Sequence, residues 1–452
     1  MAGSPVGDSR FILPSPLARE LAETYQTPLY VIDERHFRER IRRTRSAAGS
    51  VWPGAEISFA AKANSTLAVL SIAVQEGCLI DAASEGELRA ALLAGAEPSR
   101  CHLHGNNKTS AEIEYAMEVG VGSIVVDNFD ELNRIFTLAQ SHRCPDLLLR
   151  LAPGVDPITH EKISTGQADT KFGFNIVNGA AGRAVRVATG LSLPLVGFHC
   201  HVGSQLMDAE AQKSGAEVLA RFVVDMWRDQ GFVAKALNVG GGLGIRYTDA
   251  DDPVSIEDYY REVSGAVAGA IREYGFELKL IHEPGRSLVG ESGVTLYRIG
   301  TVKTVPVTED LNRTYVCVDG GLADNPRPAL YGAKYTVLHI PDRTKQMGEA
   351  KEQAVPGMAR GEFDTTYTIS GRHCETDTLF RDILLPDDVE EGDLVQVLCT
   401  GAYNASMASN YNRYPRPAAV LIREDGSHEL VQRRETWEEM FAREILPGGR
   451  DE

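Results

Sequence analysis

Nowhere in the 452 residues do about 18 apolar positions run together, the length a bilayer-spanning helix needs, so the sequence offers no membrane span. The opening, MAGSPVGDSRF, has no basic segment followed by an apolar one, as a secretory leader would, and a cytoplasmic protein is expected. Basic charge is in deficit. Lys and Arg total 46 against 63 Asp and Glu, a formal charge of −17, which suits neither a phosphate backbone nor an anionic surface. The seven cysteines, at 78, 101, 144, 200, 317, 374 and 399, form no CxxC pair and no zinc-like spacing. That excludes a disulfide framework and gives no reason to expect a metal. Neither GxGxxG nor GxxxxGK[ST] occurs, which removes the Rossmann dinucleotide site and the P-loop.

What remains is an ordinary globular composition, 43% apolar and 24% charged, on a chain long enough for two or three cores. Eight short apolar runs, each followed by a stretch of helical periodicity, begin at Ile57 (ISFAAK), Leu79 (LIDAAS), Cys101 (CHLHG), Ser123 (SIVVDN), Leu147 (LLLRLAP), Leu195 (LVGFHCHVG), Ala236 (ALNVGGG) and Lys279 (KLIHEPG). The first four start 22 residues apart, room for one strand, one helix and two loops. Eight such units predict an α/β fold built on a (β/α)8 TIM-like barrel over 36–290, whose chemistry belongs at the carboxyl ends of the strands. An open doubly wound sheet shows the same alternation, and only the count of eight favours closure. Beyond about residue 290 the runs TLYRIGTVKTVPV, RTYVCVDGG, LVQVLCTGAY and AAVLIRED are rich in β-branched residues with few helical stretches. They predict a β-rich domain over 291–452, joined by residues 1–35, in which PLYVID from Pro28 supplies a strand. Gln346 to Phe363 reads as a loop or insertion.

The predicted strand ends carry Lys62, Asp81, His104, Asn106, Asp127, Arg150, His201 and Ser204, the run Gly240–Gly242, and Glu283 with Arg286. Lys62 follows Ser58, Phe59, Ala60 and Ala61, where partial desolvation would free an amine for Schiff-base chemistry; a solvated lysine is the plain alternative. The glycines after the seventh strand, with Glu283-Pro284-Gly285-Arg286 after the eighth, stand where barrels build phosphate sites, although a glycine run alone is equally a tight turn. A carboxylate such as Glu283 can pair with a protonated ring nitrogen and a guanidinium such as Arg286 with phosphate or carboxylate; a mutual surface ion pair is the competing reading. His199 and His201 share a strand face, with Cys200 on the other. One imidazole could stack on a cofactor ring, and the pair could bind zinc if a third ligand existed, but none is evident.

Taken together and in order, FAAKANS (Phe59 to Ser65), ASEGEL (Ala83 to Leu88), STGQADTKFGF (Ser164 to Phe174), HVGSQ (His201 to Gln205), GGGLGI (Gly240 to Ile245), EPGR (Glu283 to Arg286), NPRPALY (Asn325 to Tyr331), HCETD (His373 to Asp377) and GAY (Gly401 to Tyr403) resemble the fold-type III pyridoxal-phosphate decarboxylases. The resemblance implies pyridoxal 5'-phosphate as cofactor and a homodimer with shared active sites. It implies that Lys62 carries the cofactor covalently, that His201 stacks on its ring, that Glu283 pairs with the pyridine nitrogen, and that Asp81 belongs to the same cofactor site. Ser204, Gly240, Gly241, Gly242, Gly285, Arg286 and Tyr403 would hold the phosphate. Arg286, Arg327, Tyr331, Glu375 and Tyr403 would contact an amino-acid substrate, with Cys374 as proton donor and Cys374 and Glu375 supplied by the partner subunit. The substrate expected first is meso-2,6-diaminopimelate, giving L-lysine, with D-lysine, D-ornithine, carboxynorspermidine and arginine as alternatives. A non-catalytic regulator on the same scaffold would not be expected to retain Lys62 and Cys374, and a racemase of this barrel type would carry arginine in place of Glu283.

Overall fold

The computed structural model describes residues 10–155, 170–309, 311–342, 365–375 and 377–447. The stretch Gln346 to Phe363, Ser164 to Asp169 of the STGQADTKFGF motif, and Thr376 lie outside them. The chain divides into two compact units: His36–Arg246 with Ala250–Gly290, and Met1–Arg35 with Tyr247–Asp249 and Glu291–Glu452.

The first strand, β1 (Leu29–Asp33), belongs to the β-rich unit. The strands that follow it build the other unit: β2 (Glu56–Ala60), β3 (Leu79–Ala82), β4 (Cys101–Leu103), β5 (Ser123–Val126), β6 (Asp146–Ala152), β7 (Phe174–Asn175), β8 (Leu195–His199), β9 (Ala236–Asn238) and β10 (Lys279–His282). The sheet runs β5-β4-β3-β2-β10-β9-β8-β6, and β5 pairs with β6, so eight parallel strands close on themselves. Closure abolishes both sheet edges, which an open sheet would leave unpaired. The two-residue β7 adds to β6 outside the ring, too short to leave a periodic signal.

Local chemistry explains where the helices begin. Ser84, Asn128 and Ser255 accept from the backbone N–H three residues on, and Thr109 with Glu112 forms a reciprocal capping box. Each cap sits in a loop that follows a barrel strand, so strand and helix are held in fixed sequence. Gly197 in β8 lets β9 approach closely, since a Cβ there would lie 1.8 Å from the Ala236 carbonyl oxygen.

The β-rich unit adds β11 (Gly293–Pro306), β12 (Asn312–Val318), β13 (Val337–Ile340), β14 (Thr365–Ser370), β15 (Thr378–Leu385), β16 (Leu394–Leu398), β17 (Ala418–Ile422) and β18 (His428–Gln432). Their order is β15-β14-β12-β11-β1-β17-β18, with β16 also on β11 and β13 on β16. β1, the PLYVID segment, lies antiparallel to β11 and parallel to β17, and its Leu29, Tyr30, Val31 and Ile32 are buried. Among the described residues no helix is long and apolar enough to cross a membrane.

One ion pair inside the barrel unit is closed to water. Lys108 Nζ lies 2.7 Å from Glu131 Oε1, their side chains 2% and 0% exposed. The ammonium also donates to the carbonyls of Gly105 and Val125, and Glu131 accepts from the Asp127 N–H. It thereby ties the loop after β4 to the end of β5. Removing one partner strands the other charge in a low-dielectric interior. Glu131→Gln should therefore lower the unfolding free energy by about 3–5 kcal/mol in denaturant titrations of the apoprotein; a loss below about 1 kcal/mol would contradict this reading of the pair.

Candidate active site

Three barrel strands aim polar groups at a single carboxylate. Glu283, just past β10, is buried. Asn238 at the end of β9 donates to its Oε1, His199 at the end of β8 places Nε2 3.0 Å from Oε2, and His104, after β4, places Nε2 3.0 Å from Oε1. The same His104 nitrogen is 3.5 Å from Asp81 Oδ1 at the end of β3. Burial alone would push the Glu283 carboxyl up, but His104 and His199 outweigh it and hold it well below the usual range. Burial works the other way on His104, and the Asp81 and Glu283 carboxylates raise it above 6.5 all the same. His199 is depressed to about 4 by burial, only partly offset by Glu283. Of the two imidazoles, His199 is therefore the neutral one near neutral pH and His104 the more basic.

This arrangement revises the sequence reading in three places. His199 faces His104, ring centroids 4.9 Å apart, and Glu283, rather than forming a metal pair with His201. Ligand atoms of His104, His199 and Glu283 lie within 4.8 Å of one another, so the partners of His199 in any such group are His104 and Glu283, not His201. Arg286 is buried, not a surface group, and donates to Ser204 Oγ at 3.1 Å. Lys62, in a short 3₁₀ turn after β2, is itself exposed although Ser58, Phe59, Ala60 and Ala61 are buried, so the expected desolvation does not apply to its side chain. Its positive charge still reaches Asp81 and the partly buried His201, whose basicity is lowered by burial and then by Lys62, Arg150 and His199.

The glycine run is wedged between neighbouring loops. A Cβ on Gly240 would lie 2.4 Å from the Cys200 carbonyl and 3.1 Å from His201 Nδ1, and one on Gly241 2.2 Å from the Glu283 carbonyl. Gly240 and Gly242 adopt φ of +71° and +125°, which side chains resist. The N–H groups of Gly241 and Gly242 find no acceptor among the described residues. Gly285 packs on Ala60 and Ala63, which flank Lys62, at 3.0 and 2.9 Å from a hypothetical Cβ. Free donors, a buried guanidinium and the Ser204 hydroxyl thus gather in the loops after β8, β9 and β10, a donor set suited to a phosphate. With the Glu283 carboxylate nearby for a ring nitrogen, the residues present fit pyridoxal phosphate.

A second cluster belongs to the β-rich unit. Arg327 is buried and enters no ion pair among the described residues; its guanidinium carbon lies 5.4, 5.7 and 5.5 Å from the rings of Tyr247, Tyr331 and Tyr403. Its Nε has no hydrogen-bond partner among them either. Burial opposes its charge, yet Tyr247, Tyr335 and Tyr403 more than compensate. Cys374 and Glu375 are exposed and make no contact with Arg327. Glu375 instead accepts from the Tyr411 hydroxyl. Sequence reasoning did not single out Asn238, Tyr247, Tyr335 or Tyr411. Asn238 had a signal, as an amide within a buried parallel strand; the tyrosines had none, since nothing local marks a ring that packs on an arginine far along the chain.

A profile of the family described as "Pyridoxal-dependent decarboxylase, pyridoxal binding domain" matches residues 35–290. The chain is 45% identical over 425 residues to the diaminopimelate decarboxylase of Bacillus subtilis, covering 93% of this chain and 92% of that one. Among solved structures it is similar to diaminopimelate decarboxylase from M. jannaschii, with a TM-score of 0.84, 31% identity and 97% of each chain covered. The Helicobacter pylori diaminopimelate decarboxylase complexed with L-lysine gives a TM-score of 0.78 at 30% identity, over 94% of this chain and 98% of that one.

An ionised Glu283 stabilises the fold above the ordinary carboxyl value of 4.5, and this contribution is lost as pH falls through its depressed folded value. The difference in unfolding free energy between wild-type and Glu283→Gln apoprotein should therefore be largest above pH 4.5 and shrink in acid. A difference that grows as pH falls would show the carboxyl to be protonated in the fold.

Proposed function

The chain belongs to the pyridoxal-dependent decarboxylases, and from that premise we propose a division of labour among its residues. The protein is a pyridoxal-phosphate-dependent amino-acid decarboxylase that converts diaminopimelate to lysine in lysine biosynthesis. We propose that it acts on the meso isomer at its D centre. The observation that carries the site assignment is Glu283, a buried carboxylate that His199 and Asn238 hydrogen-bond and that has the His104 imidazole 3.0 Å away.

When bound, pyridoxal phosphate supplies a pyridinium ring that takes up the electrons left behind by departing CO2. Lys62 would hold the aldehyde end through its amine, and His201 would hold the ring. Glu283, with Asp81 near it, would accept from the ring nitrogen and keep that atom protonated. Ser204, the N–H groups of Gly241 and Gly242, and Gly240, Gly285, Arg286 and Tyr403 would hold the phosphate. Arg327 takes the distal carboxylate of the substrate, helped by Tyr331, Tyr403 and Arg286. A buried guanidinium ringed by tyrosines and lacking a carboxylate partner among the described residues supports that role, because the substrate would provide an anion. Glu375 holds the distal ammonium, and Cys374 delivers a proton to the carbon that has lost CO2.

We further propose a homodimer in which Cys374 and Glu375 of the partner subunit serve each site. Their exposure and their lack of contact with Arg327 in the same chain support this. So do the exposed Trp437, Phe441, Ile445 and Leu446, an apolar series of the kind that marks an association surface. The seven cysteines form no disulfide, in agreement with a reducing, cytoplasmic setting.

Given pyridoxal phosphate and a panel of amino acids, the protein should release CO2 and lysine from meso-diaminopimelate and leave D-lysine and arginine unchanged; turnover of either of these with none of diaminopimelate would reject the substrate. Arg327→Ala should raise KM for diaminopimelate by about ten- to a hundredfold, the worth of a charged hydrogen bond, with the cofactor retained. An unchanged KM would remove Arg327 from the substrate site.

A further inference from the structure

Asp81 and Glu283 set an electrostatic problem. Both carboxylates are buried, and an oxygen of each lies within 3.5 Å of the single nitrogen His104 Nε2. Like charges so close in a low-dielectric site cannot both ionise unless a cation stands between them, and the usual outcome is one shared proton. Were that proton to settle on Glu283, the acid would offer the ring nitrogen a donor instead of an acceptor, and the ring would lose its positive charge.

Other groups face this site. Arg150, over the Phe172 ring at 4.2 Å, contributes positive charge to both carboxylates' surroundings, and Lys62 does so towards Asp81. His199 and Asn238 each fix one oxygen of Glu283, but His199 is neutral and Asn238 an amide. His104 lies within reach of both carboxylates through one nitrogen.

We propose that His104 is the positioning residue of the reaction: as an imidazolium shared by Asp81 and Glu283, it keeps Glu283 an acceptor and so keeps the cofactor's ring nitrogen protonated, while His199 and Asn238 set the carboxylate's direction. This rests on the reading of Glu283 as the ring nitrogen's partner. His104 touches neither substrate nor reacting carbon. Its removal should leave substrate binding intact and weaken the electron sink.

The test uses holoprotein loaded with pyridoxal phosphate carrying 15N at the ring nitrogen. Wild type should show a pyridinium resonance at about pH 7.5, a unit above an ordinary histidine's value. In His104→Gln and His104→Asn it should move towards neutral pyridine, with kcat lower by about 10- to 100-fold, as when an outer partner of a site ligand is lost, and KM within about threefold. His199→Asn, which removes a donor but no charge, should keep the pyridinium signal. If the His104 variants keep it, or if His199→Asn loses it equally, the proposal is overturned. Glu283→Gln separates the two readings. A pyridinium signal in that variant would sink the role of Glu283 itself, whereas its loss there with retention in the His104 variants would sink only the role of His104. Should both His104 variants fail to fold, 15N-labelled histidine in wild-type protein still decides the matter. The His104 ring should be doubly protonated at about pH 7.5, and a neutral ring there would refute the proposal.

Discussion

A negative charge kept on Glu283 inside a closed barrel is the constraint on which the rest of the site depends. An isolated carboxylate moved from water into such an interior would take up a proton, since desolvation of the anion costs several kcal/mol or more. Here the anion survives because donors from β8, β9 and the loop after β4 converge on two oxygen atoms. Those strands are far apart in sequence and meet only because eight parallel strands close into a ring. Closure is thus a requirement of the chemistry as well as of the fold: an open sheet could not aim Asp81, His104, His199 and Asn238 at one point.

The same logic orders the loops after β8, β9 and β10. Gly240, Gly241 and Gly242 run so close to the Cys200 and Glu283 carbonyls that no side chain fits, and the N–H groups of Gly241 and Gly242 are left to bind something else. Gly285 presses against the alanines on either side of Lys62. The free N–H groups of Gly241 and Gly242, the Glu283 carboxylate and the Lys62 amine are therefore positions on one framework. In the β-rich unit Arg327 shows the complementary design, a buried cation among tyrosine rings that enters no ion pair among the described residues.

Much of this was legible in the sequence, and the reason is periodicity. Each barrel strand is a short apolar run ending in a residue that apolar packing cannot explain, and all eight runs coincide with strands β2 to β6 and β8 to β10. Asp81, Ser204, Glu283 and Arg286 stand at or just beyond such ends. Long-range pairing was less visible: β5 meeting β6 is a matter of closure, for which a count of eight was the only sign. Electrostatic partnership was less visible still. Nothing local distinguishes His104 from an ordinary strand-end histidine, nor says that Glu283 would turn to imidazoles rather than to Arg286, three residues away. Lys62 misled in the other direction, because four buried neighbours did not bury the lysine that follows them. Tyr247, which stands with the β-rich unit although barrel segments flank it on both sides, could not have been paired with Arg327 from spacing alone.

The most direct test of the buried charge needs no cofactor. An infrared difference spectrum between wild-type and Glu283→Gln apoprotein at neutral pH separates a carboxylate from a protonated carboxyl by its stretching bands. The account predicts that the wild type contributes an ionised carboxylate band and no protonated carbonyl band. A protonated carbonyl band for Glu283 at neutral pH would contradict it.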